Sequence, residues 1–300
     1  MKKLLCLILA LLLCMPAFAS AETVVTSFYP IYLFAANLPH GAEGVTLTNL
    51  ADTGTGCLHD YQLQTGDMKA LAKADAFLIN GAGMEGYLEG VFETFPTLPV
   101  VDASTGVALL EDCSEGDDDH EDHGHDHAFN AHIWLDAQNA IIMVNNLAEG
   151  LIVALPAQAE VIAANRDAYI ARLTALDAEI ESALAGVAKK DIIIFHEAFP
   201  YFANAYGLNV AAVINRDPDD ALSPRALAEL CKLVKSLGVP PLFVEPQYED
   251  MAAQTIARET GAAIHSLDPI VTGPEKDLPL TYYEDVMRQN LAVLLTALGE

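Results

Sequence analysis

Apolar runs of strand length recur along the first half of the chain: TVVTSF (23–28), GVTLTNL (44–50), DAFLIN (75–80) and LPVVDA (98–103). Between them, QTGDMKALAKA (64–74) and MEGYLEGVFETF (84–95) carry the three-and-four spacing of a helix with one apolar face. Strands alternating with helices predict βαβ units and a mostly parallel sheet, because parallel neighbours need a crossover connection. The second half repeats the scheme with DIIIFH (191–196), NVAAVI (209–214), PPLFVE (240–245) and AAIHSL (262–267). PYFANAYG, SPRALAELCKLVKSLG and YEDMAAQTIARETG read as the intervening helices, with Ser223-Pro224 as a helix start and Gly238 and Gly261 as stops.

A longer pattern separates the halves. From 156 to 188, Ile162, Tyr169, Leu173, Leu176, Ile180, Leu184 and Val187 recur at steps of three, four and seven, with no Gly or Pro between 157 and 185. About 30 residues at about 1.5 Å rise make a rod of about 45 Å, as long as two lobes side by side. A coiled-coil oligomer would use the same pattern, but a single such helix between two α/β halves favours an intramolecular bar in a monomer. The expected fold is therefore α/β: two lobes, each a mostly parallel sheet flanked by helices, joined by one long rigid helix with a cleft between them. The expected boundaries are 22–155, 156–188 and 189–300.

Composition narrows the setting. Residues 1–21, MKKLLCLILALLLCMPAFASA, have the charged start, apolar core and small-residue cleavage site of an export signal. Cys14 follows Leu11-Leu12-Leu13 rather than the small residue that precedes a lipidated cysteine. No later stretch is an uninterrupted apolar run of about 18 residues, so the processed chain is expected to be soluble outside the cytoplasm, periplasmic or at the cell surface. The net charge of −27 repels nucleic acid and attracts cations. Cys231 lies in a helical pattern and reads as an apolar core residue. Cys57 and Cys113 fall in predicted loops, and export permits a bridge between them without requiring one.

The conspicuous chemistry is DDDHEDHGHDH (117–127), within a His- and acid-rich loop at 115–128. Its four histidines, His120, His123, His125 and His127, stand among six acids and a glycine, with no apolar residue to fix donors in a tetrahedron. Read alone, it is a solvated loop that gathers cations weakly. Ligands of open parallel sheets bind beyond the carboxyl ends of strands. Of the remaining candidates, His59 follows the strand ending near Leu50, and His196 ends DIIIFH. Asp268 follows AAIHSL, and His132 leads into the helix that closes the first lobe. Each has a plainer role available, as a structural histidine or, for Asp268 before Pro269, a turn former. Their joint placement on one rim argues for a metal site, and three imidazoles with a carboxylate suit tetrahedral Zn²⁺. Glu245, ending PPLFVE, is placed either to orient a ligand histidine or to sit in water at the rim.

Enzyme signatures are missing. His196-Glu197 does not open a HExxH helix, there is no GxSxG or P-loop, and NGAGMEG (80–86) lacks dinucleotide-binding spacing. Four protein donors would also leave no position for a catalytic water.

Taken together, SFYPIYLFAANL (27–38), His59-Asp60-Tyr61 with TGDMKALAKAD (65–75), NGAGMEGYLE (80–89), AHIWLDAQNA (131–140), FHEAFPYFANAYGL (195–208), FVEPQY (243–248) and LDPI (267–270) resemble the metal-binding proteins of zinc and manganese ABC importers. The resemblance covers nearly the whole processed chain. It implies that His59, His132 and His196 supply imidazoles and Asp268 a carboxylate. It also implies that the partner is an ABC permease subunit with its ATPase. Manganese-selective relatives usually carry Glu where His196 stands, so Zn²⁺ is expected over Mn²⁺. Many zinc-type members also have a His- and acid-rich loop just ahead of the second ligand. The chain departs from the family at GCLH (56–59), which lacks the usual proline beside the histidine, and at Thr65-Gly66-Asp67 in place of Pro-Ser-Asp. The expected function is capture of Zn²⁺ outside the membrane, with affinity falling as pH drops through about 6–6.5 because histidine must be neutral to ligate. The alternatives are a mononuclear zinc hydrolase, or a manganese-binding or surface-adhesin variant of the same fold.

Overall fold

The computed structural model describes residues 21–55, 58, 61–111, 129–214, 223–247 and 251–299. Residues 1–20 of the expected export signal at 1–21, His59, Cys57, Cys113 and the four loop histidines lie outside them.

All eight expected strands form, in two parallel four-stranded sheets. The first contains β1 (Glu22–Thr26), β2 (Val45–Asn49), β3 (Ala76–Ile79) and β4 (Val100–Asp102) in the order β2-β1-β3-β4. The second contains β5 (Asp191–Ile194), β6 (Asn209–Val213), β7 (Leu242–Val244) and β8 (Ile264–Ser266) in the order β6-β5-β7-β8. The two orders are the same permutation, so the second lobe repeats the winding of the first.

Nine helices accompany the strands among the described residues: α1 (Tyr29–Asn37), α2 (Thr65–Leu71), α3 (Leu88–Thr94), α4 (Ala137–Ala154), α5 (Ala159–Ala185), α6 (Pro200–Ala205), α7 (Pro224–Ser236), α8 (Met251–Thr260) and α9 (Tyr282–Gly299). Two of them go beyond the sequence expectation. Helix α1 is apolar nearly all round and buries Tyr29, Ile31, Leu33, Phe34 and Ala35, so it lacks the polar face that periodicity detects. Helix α9 carries a readable stripe, Tyr283, Met287, Asn290, Leu294 and Leu298, and packs it inward.

The pleat of each strand divides its side chains between two cores. Val24 and Leu78 of the first sheet, with Ile192, Ile194 and Phe243 of the second, enter one continuous core that also takes in α1, α4, α5 and α9. Val25, Phe77 and Ile79 face a smaller cluster on the outer side of the first lobe. Ile193 and Leu242 face its counterpart on the second. Cys231 of α7 borders that outer cluster as a half-buried free thiol, less enclosed than the sequence suggested.

Helix α5 is the expected bar, unbroken over 27 residues, or about 40 Å. Ile162, Tyr169, Leu173, Leu176, Ile180 and Leu184 are its buried face, while Val187 lies just past its end. The chain turns through 116° between α4 and α5, and among the described residues no single helix is long and apolar enough to cross a membrane. Polar side chains fasten the bar at intervals. Asn165 donates to the carbonyls of Leu38 (2.8 Å) and His40 (2.9 Å). Arg172 pairs with buried Glu284 of α9 (2.7 Å), reaches Asn37 of α1, and lies 4.6 Å from the Tyr169 ring centroid. Farther along, Tyr206 of the second lobe donates to Asp177 (3.0 Å). Gly150 lets α4 approach the first sheet, since a Cβ there would lie 2.4 Å from Val101.

Candidate metal site

His132 is wholly buried at the entrance of a single turn, Ile133–Leu135, that precedes α4. Its backbone N–H donates to Oδ1 of Asn130 (2.9 Å), and its Nδ1 lies 3.2 Å from the same oxygen. Asn130 reaches the other lobe as well, donating from Nδ2 to the Glu197 carbonyl (2.7 Å). Tyr201 donates to the Asn130 carbonyl (2.8 Å) and accepts the Leu110 N–H (2.9 Å).

His196 lies two residues past β5. Its Nδ1 is 2.7 Å from Oε1 of Glu245, the residue after β7, whose other oxygen accepts from Gln247 (2.7 Å). A carboxylate only accepts, so Nδ1 of His196 is the donor, and in the neutral ring Nε2 carries the lone pair. The rings of His132 and His196 stand nearly perpendicular, 84°, with centroids 4.9 Å apart. The two lobes thus meet imidazole to imidazole.

Asp268 lies two residues past β8, in a turn that its surroundings determine closely. Its Oδ1 accepts the Ile270 N–H (2.7 Å), holding this β-branched residue at a φ of 63°, a left-handed conformation it rarely adopts. Asn290 of α9 clasps the Asp268 backbone from both sides, accepting its N–H (2.9 Å) and donating to its carbonyl (2.7 Å). Trp134 donates to the Pro269 carbonyl (2.8 Å), and Tyr283 donates to the Trp134 carbonyl (2.6 Å). Burial raises the Asp268 carboxyl above its ordinary value, the Ile270 hydrogen bond opposes the rise, and the charge of Glu245 adds to it.

Among the described residues no three His, Cys, Asp or Glu side chains gather closely enough to hold one ion. The structure pairs His132 with His196, sets Asp268 outside that pair, and does not describe His59. The 112–128 segment, which carries His120, His123, His125 and His127, is flanked by a paired base: Glu111 bridges Phe129, and Asn130 donates to the Leu110 carbonyl (2.9 Å).

Behind His132 stands a support that sequence reading missed. Asn80, at the end of β3, donates from Nδ2 to the Ala131 carbonyl (3.0 Å). Its loop has three successive residues with positive φ, Gly81 at 76°, Ala82 at 52° and Gly83 at 85°. At Gly81 a Cβ would lie 2.0 Å from the Asp102 carboxylate. Buried Glu85 closes the loop, accepting the N–H groups of Asn80 (2.7 Å) and Gly81 (3.1 Å). Burial pushes its carboxyl from 4.5 up to about 7, against the pull of those two hydrogen bonds. Asn80, Asn130 and Trp134 act through tertiary contacts, whereas Glu85 bonds residues four and five positions back along its own loop.

Comparison with known proteins bears on this arrangement. A family described as "Zinc-uptake complex component A periplasmic" matches residues 24–297. Zinc-binding protein AdcA of Streptococcus pyogenes serotype M3 is 33% identical over 285 residues, covering 90% of this chain and 55% of that protein. The chain therefore spans about half the length of the curated relatives of that name. Among solved structures, the Zn(II)-bound ZnuA-like domain of Streptococcus pneumoniae AdcA is 26% identical with a TM-score of 0.78, covering 94% of this chain and 100% of that one. FpvC of Pseudomonas aeruginosa in complex with Ni²⁺ is 26% identical with a TM-score of 0.78, covering 93% of this chain and 97% of that one. Its complex with Mn²⁺ gives 26% and 0.77, covering 93% of this chain and 99% of that one.

Proposed function

The chain belongs to the family of periplasmic zinc-uptake components, and from that premise we propose that it captures Zn²⁺ outside the cytoplasmic membrane and delivers it to an ABC-type importer. The observation that carries this reading is the imidazole pair. His132 and His196 come from different lobes, lie 4.9 Å apart, and each has an acceptor beside its Nδ1. An acceptor at Nδ1 leaves Nε2 to bind a cation, the arrangement by which a carboxylate or carbonyl orients a ligand histidine. His59 and Asp268 complete the proposed set. Three imidazoles and one carboxylate favour tetrahedral Zn²⁺ over Mn²⁺, and filling all four positions leaves no place for a hydrolytic water. The zinc-binding relatives support this choice, while the similar FpvC is seen in complex with Ni²⁺ and with Mn²⁺.

In this reading the protein is a monomeric carrier whose partner is a permease subunit with its ATPase. The His- and acid-rich segment collects cations near His132 and holds them weakly; the tight site is elsewhere. Calorimetry with Zn²⁺ tests the assignment. His196→Ala is expected to weaken binding by roughly 100-fold or more, exceeding the 10–100-fold typical of a residue that only orients a ligand. Deleting 117–127 should change the affinity of the tight site only slightly. An unchanged Kd for His196→Ala overturns the proposal.

A further inference from the structure

One amide group touches one imidazole of the pair and the backbone next to the other. Asn130 has its Nδ2 at 2.7 Å from the carbonyl oxygen of Glu197, the residue that follows His196. A carbonyl oxygen only accepts, so this contact decides which end of the Asn130 amide is nitrogen. The other end, Oδ1, must then be the acceptor for His132, both for its backbone N–H (2.9 Å) and for Nδ1 (3.2 Å). Two acceptors facing each other at that distance make no bond, so Nδ1 of His132 bears a proton, and in the neutral ring Nε2 then has the lone pair. The Asn130 backbone is fixed too, with its carbonyl held by Tyr201 (2.8 Å) and its N–H by the Leu110 carbonyl (2.9 Å), and the side chain is buried. His196 reaches the same state by another device, the Glu245 carboxylate at 2.7 Å.

We propose that Asn130 is a positioning residue: by bonding the backbone beside His196 with one end of its amide, it commits the other end to holding His132 in the Nδ1–H tautomer that offers Nε2 to the cation. The tautomer of one lobe's imidazole is thereby set by contact with the other lobe. The part that concerns cation binding rests on the zinc-capture reading above; the tautomer itself does not.

The experiment records imidazole ¹⁵N–¹H correlations of the metal-free full chain, with the His132 signals identified by their loss in His132→Gln. The wild type is expected to show His132 protonated at Nδ1. In Asn130→Ala the ring should become a mixture of tautomers, and Zn²⁺ affinity by calorimetry should fall about 10–100-fold. In Asn130→Asp an acceptor remains, so the Nδ1–H tautomer should persist although the bond to Glu197 is lost. This second variant serves if Asn130→Ala does not fold. An unshifted tautomer in a folded Asn130→Ala, or an Nε2–H ring in Asn130→Asp, overturns the proposal. A shifted tautomer with unchanged Zn²⁺ affinity upholds the positioning role and overturns instead the ligand role of His132.

Discussion

In the first lobe the candidate ligand His132 sits in a wholly buried segment, gripped by Asn130, braced by Asn80 through the Ala131 carbonyl and backed by Trp134. In the second lobe His196 and Asp268 stand on the short segments just beyond β5 and β8, and Glu245, just beyond β7, lies 2.7 Å from Nδ1 of His196. The two sheets are wound in the same order, so topology alone does not account for the difference. A parallel sheet brings strand ends to a common rim in both lobes. What holds a donor there is local, a carboxylate next door in one lobe and a relay of neutral amides in the other.

One helix from each lobe also differs in how firmly it is seated. Helix α4 of the first lobe buries Met143, Val144, Leu147 and Leu151 along its length in the continuous core, whereas α7 of the second buries only Val234 completely. Truncation should expose this contrast most strongly. Leu147→Ala is expected to cost about 2–5 kcal/mol of unfolding free energy, the usual range for a buried Leu, and Leu230→Ala of α7 less than about 1 kcal/mol because its site is already partly open. Urea titration of both variants measures the gap, and equal losses would erase the distinction.

The orienting groups come next. Glu245→Gln keeps the shape but puts an amide where the carboxylate accepts from His196, and should weaken Zn²⁺ binding about 10–100-fold, up to about 2.7 kcal/mol. Calorimetry at constant pH would detect it, and wild-type affinity would mean that the carboxylate does not orient the ring.

The smallest effect concerns the support behind His132. A carboxyl whose folded value exceeds its unfolded one keeps its proton longer in the native state. The native state is therefore favoured below 4.5 and loses that advantage as pH climbs toward about 7, at about 1.4 kcal/mol per pH unit. Glu85→Gln cannot titrate, so its stability relative to the wild type should improve by about 2 kcal/mol between pH 5 and pH 7. Denaturant unfolding at the two pH values is the measurement, and a pH-independent difference would show that Glu85 keeps one charge state across that range.

Much of this was legible in the residues. Eight strands and the bar follow from period and punctuation, because DIIIFH or the stripe from Ile162 to Leu184 needs no distant partner to be recognised. Helix α1 was not legible: YPIYLFAAN has no polar face, and only its enclosure between the first sheet and the bar explains why it is helical. For the site, the strand-end rule drew attention to His196, Glu245 and Asp268, whose positions depend on backbone topology. It had no means of finding Asn130 or Asn80, whose roles exist only once Glu197 and Ala131 are brought against them, nor Glu85, which closes its own loop away from any strand-end histidine.

The continuous core has a consequence for how loading can be observed. Because Val24, Ile194, Leu173 and Leu294 belong to one buried cluster running through both sheets and the bar, the halves should melt together rather than in sequence. An ion bound where the halves meet then stabilises the entire chain, and by mass action about 100 times its dissociation constant of free ion adds about 2.7 kcal/mol. Competing metals can accordingly be ranked on the intact protein by the displacement of a single thermal transition.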